Sequence, residues 1–231
     1  MLPIKGLQKT SLIDYPGKIC SVVFLANCNF RCPYCQNPDL ILNHRKMPNI
    51  PEKEVFEHLE KRRKWIDGVC ITGGEPCLHD GLVEFIEKTR SMGFLVKLDT
   101  NGTNPEMLSY LIRKKLLNYI AMDIKAPLRR YSEVAGVKVR VLDIRSSVSL
   151  ILKSGIDYEF RTTVVPRLFN EDDMLSIAKW LKGARRYAIQ QFRPVTTLDR
   201  EYQKEKAYPE QKLRMFAEIA RPYFERVEVR A

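Results

Sequence analysis

Three cysteines fall within eight residues as Cys28-Asn-Phe-Arg-Cys32-Pro-Tyr-Cys35, directly after the apolar run Ile19 to Ala26. A CxxxCxxC loop offers three thiolates to one small volume and supplies no fourth. A [4Fe–4S] cluster held that way keeps one iron open to a ligand that is not protein. The same logic separates a catalytic zinc, with its open position, from a structural one. The spacing alone leaves two other readings standing: a zinc site completed by Cys70, Cys77 or a histidine, and buried thiols with no metal.

Such a loop needs a scaffold, and the chain has the means to build one. Its 231 residues make one large domain or two small ones, with 45% hydrophobic and 29% charged residues and no low-complexity stretch. The absence of a linker or repeat favours a single domain over 1–231. No apolar run approaches the ~20 residues of a membrane span, and the opening MLPIKGLQKT has no apolar signal core. A cytoplasmic protein is expected, with cysteines kept reduced for metal or catalysis rather than disulfides. Thirty-nine basic against 28 acidic side chains give a formal charge of +11, which could steer the chain toward an anionic partner. The basic clusters Lys61–Lys64, Arg113–Lys115, Arg129-Arg130 and Arg185-Arg186 are scattered over predicted helix ends and loops. They read as solvated faces, so neither nucleic acid nor membrane is an expected partner.

From Ile19 onward short β-branched runs alternate with helical patterns. Strands are predicted at Ile19–Leu25, Gly68–Thr72, Phe94–Asp99, Tyr119–Lys125, Tyr158–Val164 and Tyr187–Phe192, and helices at Glu52–Trp65, Gly81–Met92, Pro105–Lys115, Val141–Lys153, Glu171–Leu181 and Glu210–Phe224. Strict alternation implies a parallel sheet with right-handed crossovers. At roughly 35 residues per unit the chain falls short of a closed eight-unit barrel, which takes about 250 residues. The expected fold is α/β: a partial (β/α)6 barrel over 19–192, an N-terminal extended ribbon over 1–18 that turns at Pro16-Gly17, and a C-terminal helix and strand over 193–231.

In a β/α barrel the reactive groups gather at the C-terminal ends of the strands. Those positions hold the cysteine loop, then Gly73-Gly74-Glu75-Pro76, Asp99-Thr100-Asn101-Gly102 and Asp123-Ile124-Lys125, with Arg161 and Thr163 on the fifth strand and Gln190-Gln191 on the sixth. Polar residues recur at one end of every strand. Gly73 and Gly74, without a Cβ, would let backbone approach a ligand closely, although a tight strand-to-helix turn would use them equally well. Asp99 could likewise do no more than cap a helix. Two carboxylates and an ammonium in one cleft would need a cation or zwitterion to balance them.

The CxxxCxxC loop with aromatic Tyr34 before its last cysteine, followed about forty residues later by Gly73-Gly74-Glu75-Pro76, resembles the radical S-adenosylmethionine superfamily. That resemblance implies a partial barrel of the radical SAM type, with Cys28, Cys32 and Cys35 holding the cluster and its vacant iron taking the amino and carboxylate groups of S-adenosylmethionine. Asp99-Thr100-Asn101-Gly102 with Asp123-Ile124-Lys125 resembles the glycyl radical enzyme activases. There the two aspartates lie beside the cofactor carboxylate around a monovalent cation, and the lysine contacts the cofactor region. Gly6 to Gly17 and Cys28 to Pro38, with Arg161 to Pro166 and Gln190 to Phe192, are most similar to activators of anaerobic ribonucleoside-triphosphate reductase. Two departures stand out. Asn27 takes a position often held by glycine, and Gln36 one often held by histidine. The last strand also lacks a histidine that some activases set against the adenine, and Gln191 is the candidate in its place.

The resemblance implies Tyr34, Gln36, Gly73, Gly74, Glu75, Pro76, Asp99, Thr100, Asn101, Asp123, Lys125, Arg161 and Gln191 as cofactor-binding residues. No catalytic acid or base is required beyond cluster and cofactor. It further implies one-electron reduction by flavodoxin or ferredoxin, cleavage of S-adenosylmethionine to a 5′-deoxyadenosyl radical, and removal of a glycine hydrogen from a partner enzyme. About 40 residues follow Phe192, too few for a substrate domain, which fits an open mouth closed by that partner. Rival expectations are activation of pyruvate formate-lyase or another glycyl radical enzyme, a radical enzyme acting on a small molecule or RNA, and a zinc or RNA-binding module. His44, His58 and His79 read as surface or structural.

Overall fold

The computed structural model describes residues 2 to 230. Eight strands follow one another in chain order in one sheet. They are β1 (Ile4–Ser11), β2 (Cys20–Leu25), β3 (Gly68–Gly73), β4 (Leu95–Thr100), β5 (Tyr119–Asp123), β6 (Asp157–Val164), β7 (Arg186–Gln191) and β8 (Arg226–Arg230). The helices are α1 (Pro38–Leu42), α2 (Glu52–Arg62), α3 (Leu82–Ser91), α4 (Pro105–Arg113), α5 (Tyr131–Ala135), α6 (Val141–Lys153), α7 (Glu171–Trp180) and α8 (Glu210–Ala220). No described helix is long and apolar enough to cross a membrane.

All six predicted strands and all six predicted helices are present, with edges shifted by a few residues. Helix α8 stops at Ala220 instead of Phe224 because Pro222 cannot continue it, and a 3-10 turn over Arg221–Tyr223 follows. The N-terminal ribbon is β1, antiparallel to β2 with Leu7 opposite Val23. Helices α1 and α5 lie outside the predicted set, because five residues are too few to show a 3.6-residue period.

The chain divides into two compact units. One holds the residues up to Asn29 with Asp39–Ala121 and Asp143–Asp157; the other holds Phe30–Pro38, Met122–Leu142 and the residues from Tyr158 on. In the first unit β2, β3 and β4 run parallel, with Val22 opposite Cys70 and Cys70 opposite Lys97. β2 is buried along nearly its whole length, as a parallel strand covered on both faces must be. Tyr15, Cys20, Val22, Cys70, Tyr119 and Ala121 form a core cluster there, and the Tyr15 and Tyr119 rings lie 5.8 Å apart.

In the second unit β6, β7 and β8 run parallel, with Thr162 opposite Ile189 and Ile189 opposite Val229. Tyr187 stacks on Phe224 at 4.6 Å, and Phe216 meets Phe169 and Tyr208 edge-on. Helix α7 begins with a capping box: Asn170 accepts the Asp173 N–H while the Asp173 carboxylate accepts the Asn170 N–H.

Candidate functional site

In the first unit the ends of β2, β3 and β4 are laced together. β2 leads through Ala26 and Asn27 to Cys28. Asn27 has φ of 67°, a left-handed conformation that glycine adopts without cost and asparagine tolerates, which accounts for the departure seen at this position. Gly74 N–H donates to the Leu25 carbonyl and Glu75 N–H to the Asn27 carbonyl, each at 2.8 Å. A Cβ on Gly74 would sit 1.8 Å from the Asn27 oxygen, and one on Gly73 2.5 Å from Leu25 backbone atoms. Within this unit, then, the two glycines serve close passage of the chain that carries Cys28. His79 Nε2 lies 2.8 Å from the Ala26 carbonyl, pinning the same segment.

Glu75 is buried and its carboxylate is fully engaged. One oxygen accepts from Cys77 N–H at 3.0 Å and Thr100 Oγ1 at 2.8 Å, and the other from Asn101 N–H at 2.6 Å. Burial raises its pKa despite these donors. Pro76 opens the 3-10 turn that follows. Glu75 therefore ties the β3 turn to the β4 turn. Asn101 continues the chain of contacts: its Nδ2 donates to Asn29 Oδ1 at 2.9 Å and to Cys28 Sγ at 3.8 Å. Cys77, beside Glu75, is buried, and burial raises its thiol well above the ordinary value.

Asp99 has a counter-ion that the sequence reading did not single out. Lys97, two residues earlier on β4 and 1% exposed, pairs with Asp99 Oδ1 and lies 3.6 Å from Cys70 Sγ. Thr72 Oγ1 donates to Asp99 Oδ2 at 3.2 Å. The signal was there: residues two apart on a strand share a face, and a lysine inside an apolar run needs an acid beside it.

In the second unit Arg161 Nε and Lys125 Nζ reach Asp123 at 2.8 and 3.0 Å. Burial alone would raise the Asp123 pKa, but the two cations outweigh it and hold the carboxyl well below its usual range. Each aspartate is thus paired with cationic side chains inside its own unit, and the charge argument for a monovalent cation lapses.

The cysteine loop in this unit is braced by backbone contacts. Cys35 N–H donates to Cys32 O at 3.0 Å, Asp199 N–H to Pro33 O at 2.9 Å and Arg31 N–H to Ala135 O at 2.8 Å. Gln36 Nε2 donates to Arg193 O at 2.9 Å, and Gln191 Nε2 to Tyr208 O at 2.6 Å. Gln191 Oε1 and the Tyr34 hydroxyl are buried with no hydrogen-bond partner among the described residues. Burial pushes the Cys32 thiol up to about 11, with Lys125 pulling the other way.

Within each unit the donor chemistry suits a thiolate-held cluster and a polar cofactor. No disulfide engages any of the six cysteines. Asn101 offers an N–H to the Cys28 sulfur, and the Tyr34 hydroxyl has a hydrogen bond left to make. Among the described residues no three His, Cys, Asp or Glu side chains are grouped to hold a single metal ion. A cubane is a different case, since it places each thiolate on a separate iron.

Comparison with known proteins agrees with the fold and the motif. Residues 22–181 match the Radical SAM superfamily. The chain is 36% identical over 232 residues to a Methanocaldococcus jannaschii protein whose name assigns it to the glycyl-radical enzyme activating enzymes, covering 98% of this chain and 95% of that one. It is 25% identical over 202 residues to the pyruvate formate-lyase-activating enzyme of Clostridium pasteurianum, covering 84% and 82%. Streptococcus suis SuiB bound to S-adenosylmethionine superposes with a TM-score of 0.69 at 16% identity, over 88% of this chain and 48% of SuiB, so the chain spans about half the length of that structure. The chain belongs to the radical SAM superfamily, as a homologue of glycyl-radical enzyme activating enzymes.

Proposed function

We propose that the chain is a glycyl radical enzyme activase: it cleaves S-adenosylmethionine reductively, and the 5′-deoxyadenosyl radical removes a hydrogen atom from a backbone glycine of a partner enzyme. The near-full-length match to a chain named for glycyl-radical enzyme activation carries this reading. The opening ribbon and the Cys28 to Pro38 segment favour anaerobic ribonucleoside-triphosphate reductase as the partner, ahead of pyruvate formate-lyase.

Cys28, Cys32 and Cys35 are the residues that would hold the cluster. When bound, it would supply one electron, received from flavodoxin or ferredoxin, for reductive cleavage of the S–C5′ bond of S-adenosylmethionine. The chain's own part is to hold and to shield. Asn101 donates to the Cys28 sulfur, and N–H···S bonds of this kind tune a cluster's potential. Glu75 fixes the Thr100-Asn101 turn from beneath. Lys97 fixes the orientation of Asp99, and Arg161 with Lys125 that of Asp123. The Tyr34 hydroxyl and the Gln191 side-chain oxygen, both without a hydrogen-bond partner among the described residues, are the polar groups offered to the nucleotide. No monovalent cation is invoked.

Anaerobic reconstitution with ferrous iron and sulfide tests the reading. The expected product is a brown protein with about four irons and four sulfides per chain that releases 5′-deoxyadenosine from S-adenosylmethionine and dithionite. Cys32→Ala loses both colour and turnover. One zinc per chain and no iron would refute the assignment, and steady turnover of a small heterocycle without a protein partner would favour the small-molecule rival.

A further inference from the structure

The stretch from Phe30 to Asn37 contains no helix or strand, so contacts from elsewhere must shape it. One set comes from α5 and the glycine that ends it. A helix leaves its last carbonyls without partners inside the helix, and the Ala135 carbonyl at the end of α5 accepts the Arg31 N–H at 2.8 Å. Gly136 follows with φ of 67°, closing α5 in the left-handed conformation. A Cβ there would lie 2.2 Å from the Arg31 oxygen and 2.8 Å from its carbonyl carbon. Only glycine satisfies both conditions.

At the other end of α5, Tyr131 is completely buried. Its ring meets Phe30 edge-on at 6.3 Å. Its hydroxyl donates to the Asp123 carbonyl at 3.2 Å and accepts the Lys125 N–H at 3.4 Å. One five-residue helix therefore touches both the residue before Cys32 and the strand end that carries Asp123 and Lys125. The helix is itself anchored. Arg130, at its start, forks onto Glu133 at 3.0 and 2.7 Å and reaches the buried Asp173 of α7 at 2.6 Å.

We propose that α5 with Gly136 is a positioning clamp: it fixes the cysteine loop at Arg31 and, through Tyr131, holds that loop in register with the Asp123–Lys125 strand end. The proposal rests on the cluster reading above for its consequence, and its geometry can be tested without metal. Gly136 and Tyr131 are positioning residues acting through Arg31, Asp123 and Lys125.

Comparison of Gly136→Ala with Gly183→Ala separates the clamp from ordinary backbone strain. Gly183 has φ of 89° in the same unit, but a Cβ there meets nothing within 4 Å. Both substitutions lose left-handed freedom, and only one strikes Arg31. In the chain as purified, Gly136→Ala should speed amide exchange over residues 30–36 by about tenfold or more, while Gly183→Ala matches wild type. After anaerobic reconstitution at a temperature where both variants are folded, Gly136→Ala should hold less than about half the iron held by Gly183→Ala.

Equal exchange and equal iron in the two variants would overturn the proposal. Should Gly136→Ala fail to fold, Tyr131→Phe decides. It keeps the ring on Phe30, should take up iron fully, and should need several-fold more S-adenosylmethionine to shift the cluster's electron spin resonance signal; an unchanged titration would overturn the clamp. A wild-type chain that takes no iron while the exchange contrast persists would sink the cluster reading and leave the clamp standing.

Discussion

Removal of the Lys97 side chain should be felt sharply. Its side chain is 2% exposed and pairs with Asp99, which is 14% exposed. Removing one partner of a buried pair leaves the other charge poorly compensated, so Lys97→Met should cost about 3 kcal/mol in chemical denaturation, and Lys97→Met with Asp99→Asn should recover most of it. His79 carries a pH dependence. Burial lowers its pKa from the ordinary 6.5, so the fold holds the neutral ring and the unfolded chain binds more protons just below that value. Its contribution is complete above about pH 6.5 and falls as the pH drops through the window between the unfolded and folded values. Between pH 7.5 and 5 the wild-type melting temperature should therefore fall further than that of His79→Gln, which removes the titration; His58, also lowered by burial, acts alike in both. At this scale the CxxxCxxC spacing stands in the sequence itself, and no disulfide engages its cysteines. The Lys97–Asp99 pair was there to be read two residues apart on one strand face, whereas the significance of Tyr131 lies in neighbours brought from elsewhere in the chain.

At the scale of elements, the turn between β3 and α3 is set by the chain crossing beneath it. Gly74→Ala would force the Asn27 carbonyl, 1.8 Å from the new Cβ, to move. Gly93, with φ of 90° and nothing within 4 Å of a Cβ, supplies the control, costing only the ~1–2 kcal/mol of left-handed strain. Gly74→Ala should lose clearly more than Gly93→Ala in denaturant titrations; equal losses would contradict the packing described here. The alternating β-branched and amphipathic segments announced six strands and six helices because each runs long enough to show its period. Helices α1 and α5 did not, and α5 is the one that braces the cysteine loop. Asn27 shows the converse case: its identity read as a departure in the sequence, and its φ of 67° supplies the reason.

For the whole molecule, strict strand–helix alternation foretold the α/β fold, and the strands follow chain order as a barrel-type sheet does. Charge is apportioned otherwise than the strand ends alone suggested. Two aspartates and one lysine there pointed to a balance struck with a cation or zwitterion, whereas Lys97 supplies Asp99 with a counter-ion of its own. The reaction partner is likewise a property of two surfaces and is written in neither alone. Electron spin resonance on anaerobic ribonucleoside-triphosphate reductase, after anaerobic incubation with this protein, S-adenosylmethionine and reductant, tests the central claim most directly. A glycyl doublet that disappears when Cys32→Ala replaces the wild type is the predicted result. No organic radical on the reductase, or a doublet that persists with Cys32→Ala, would contradict it.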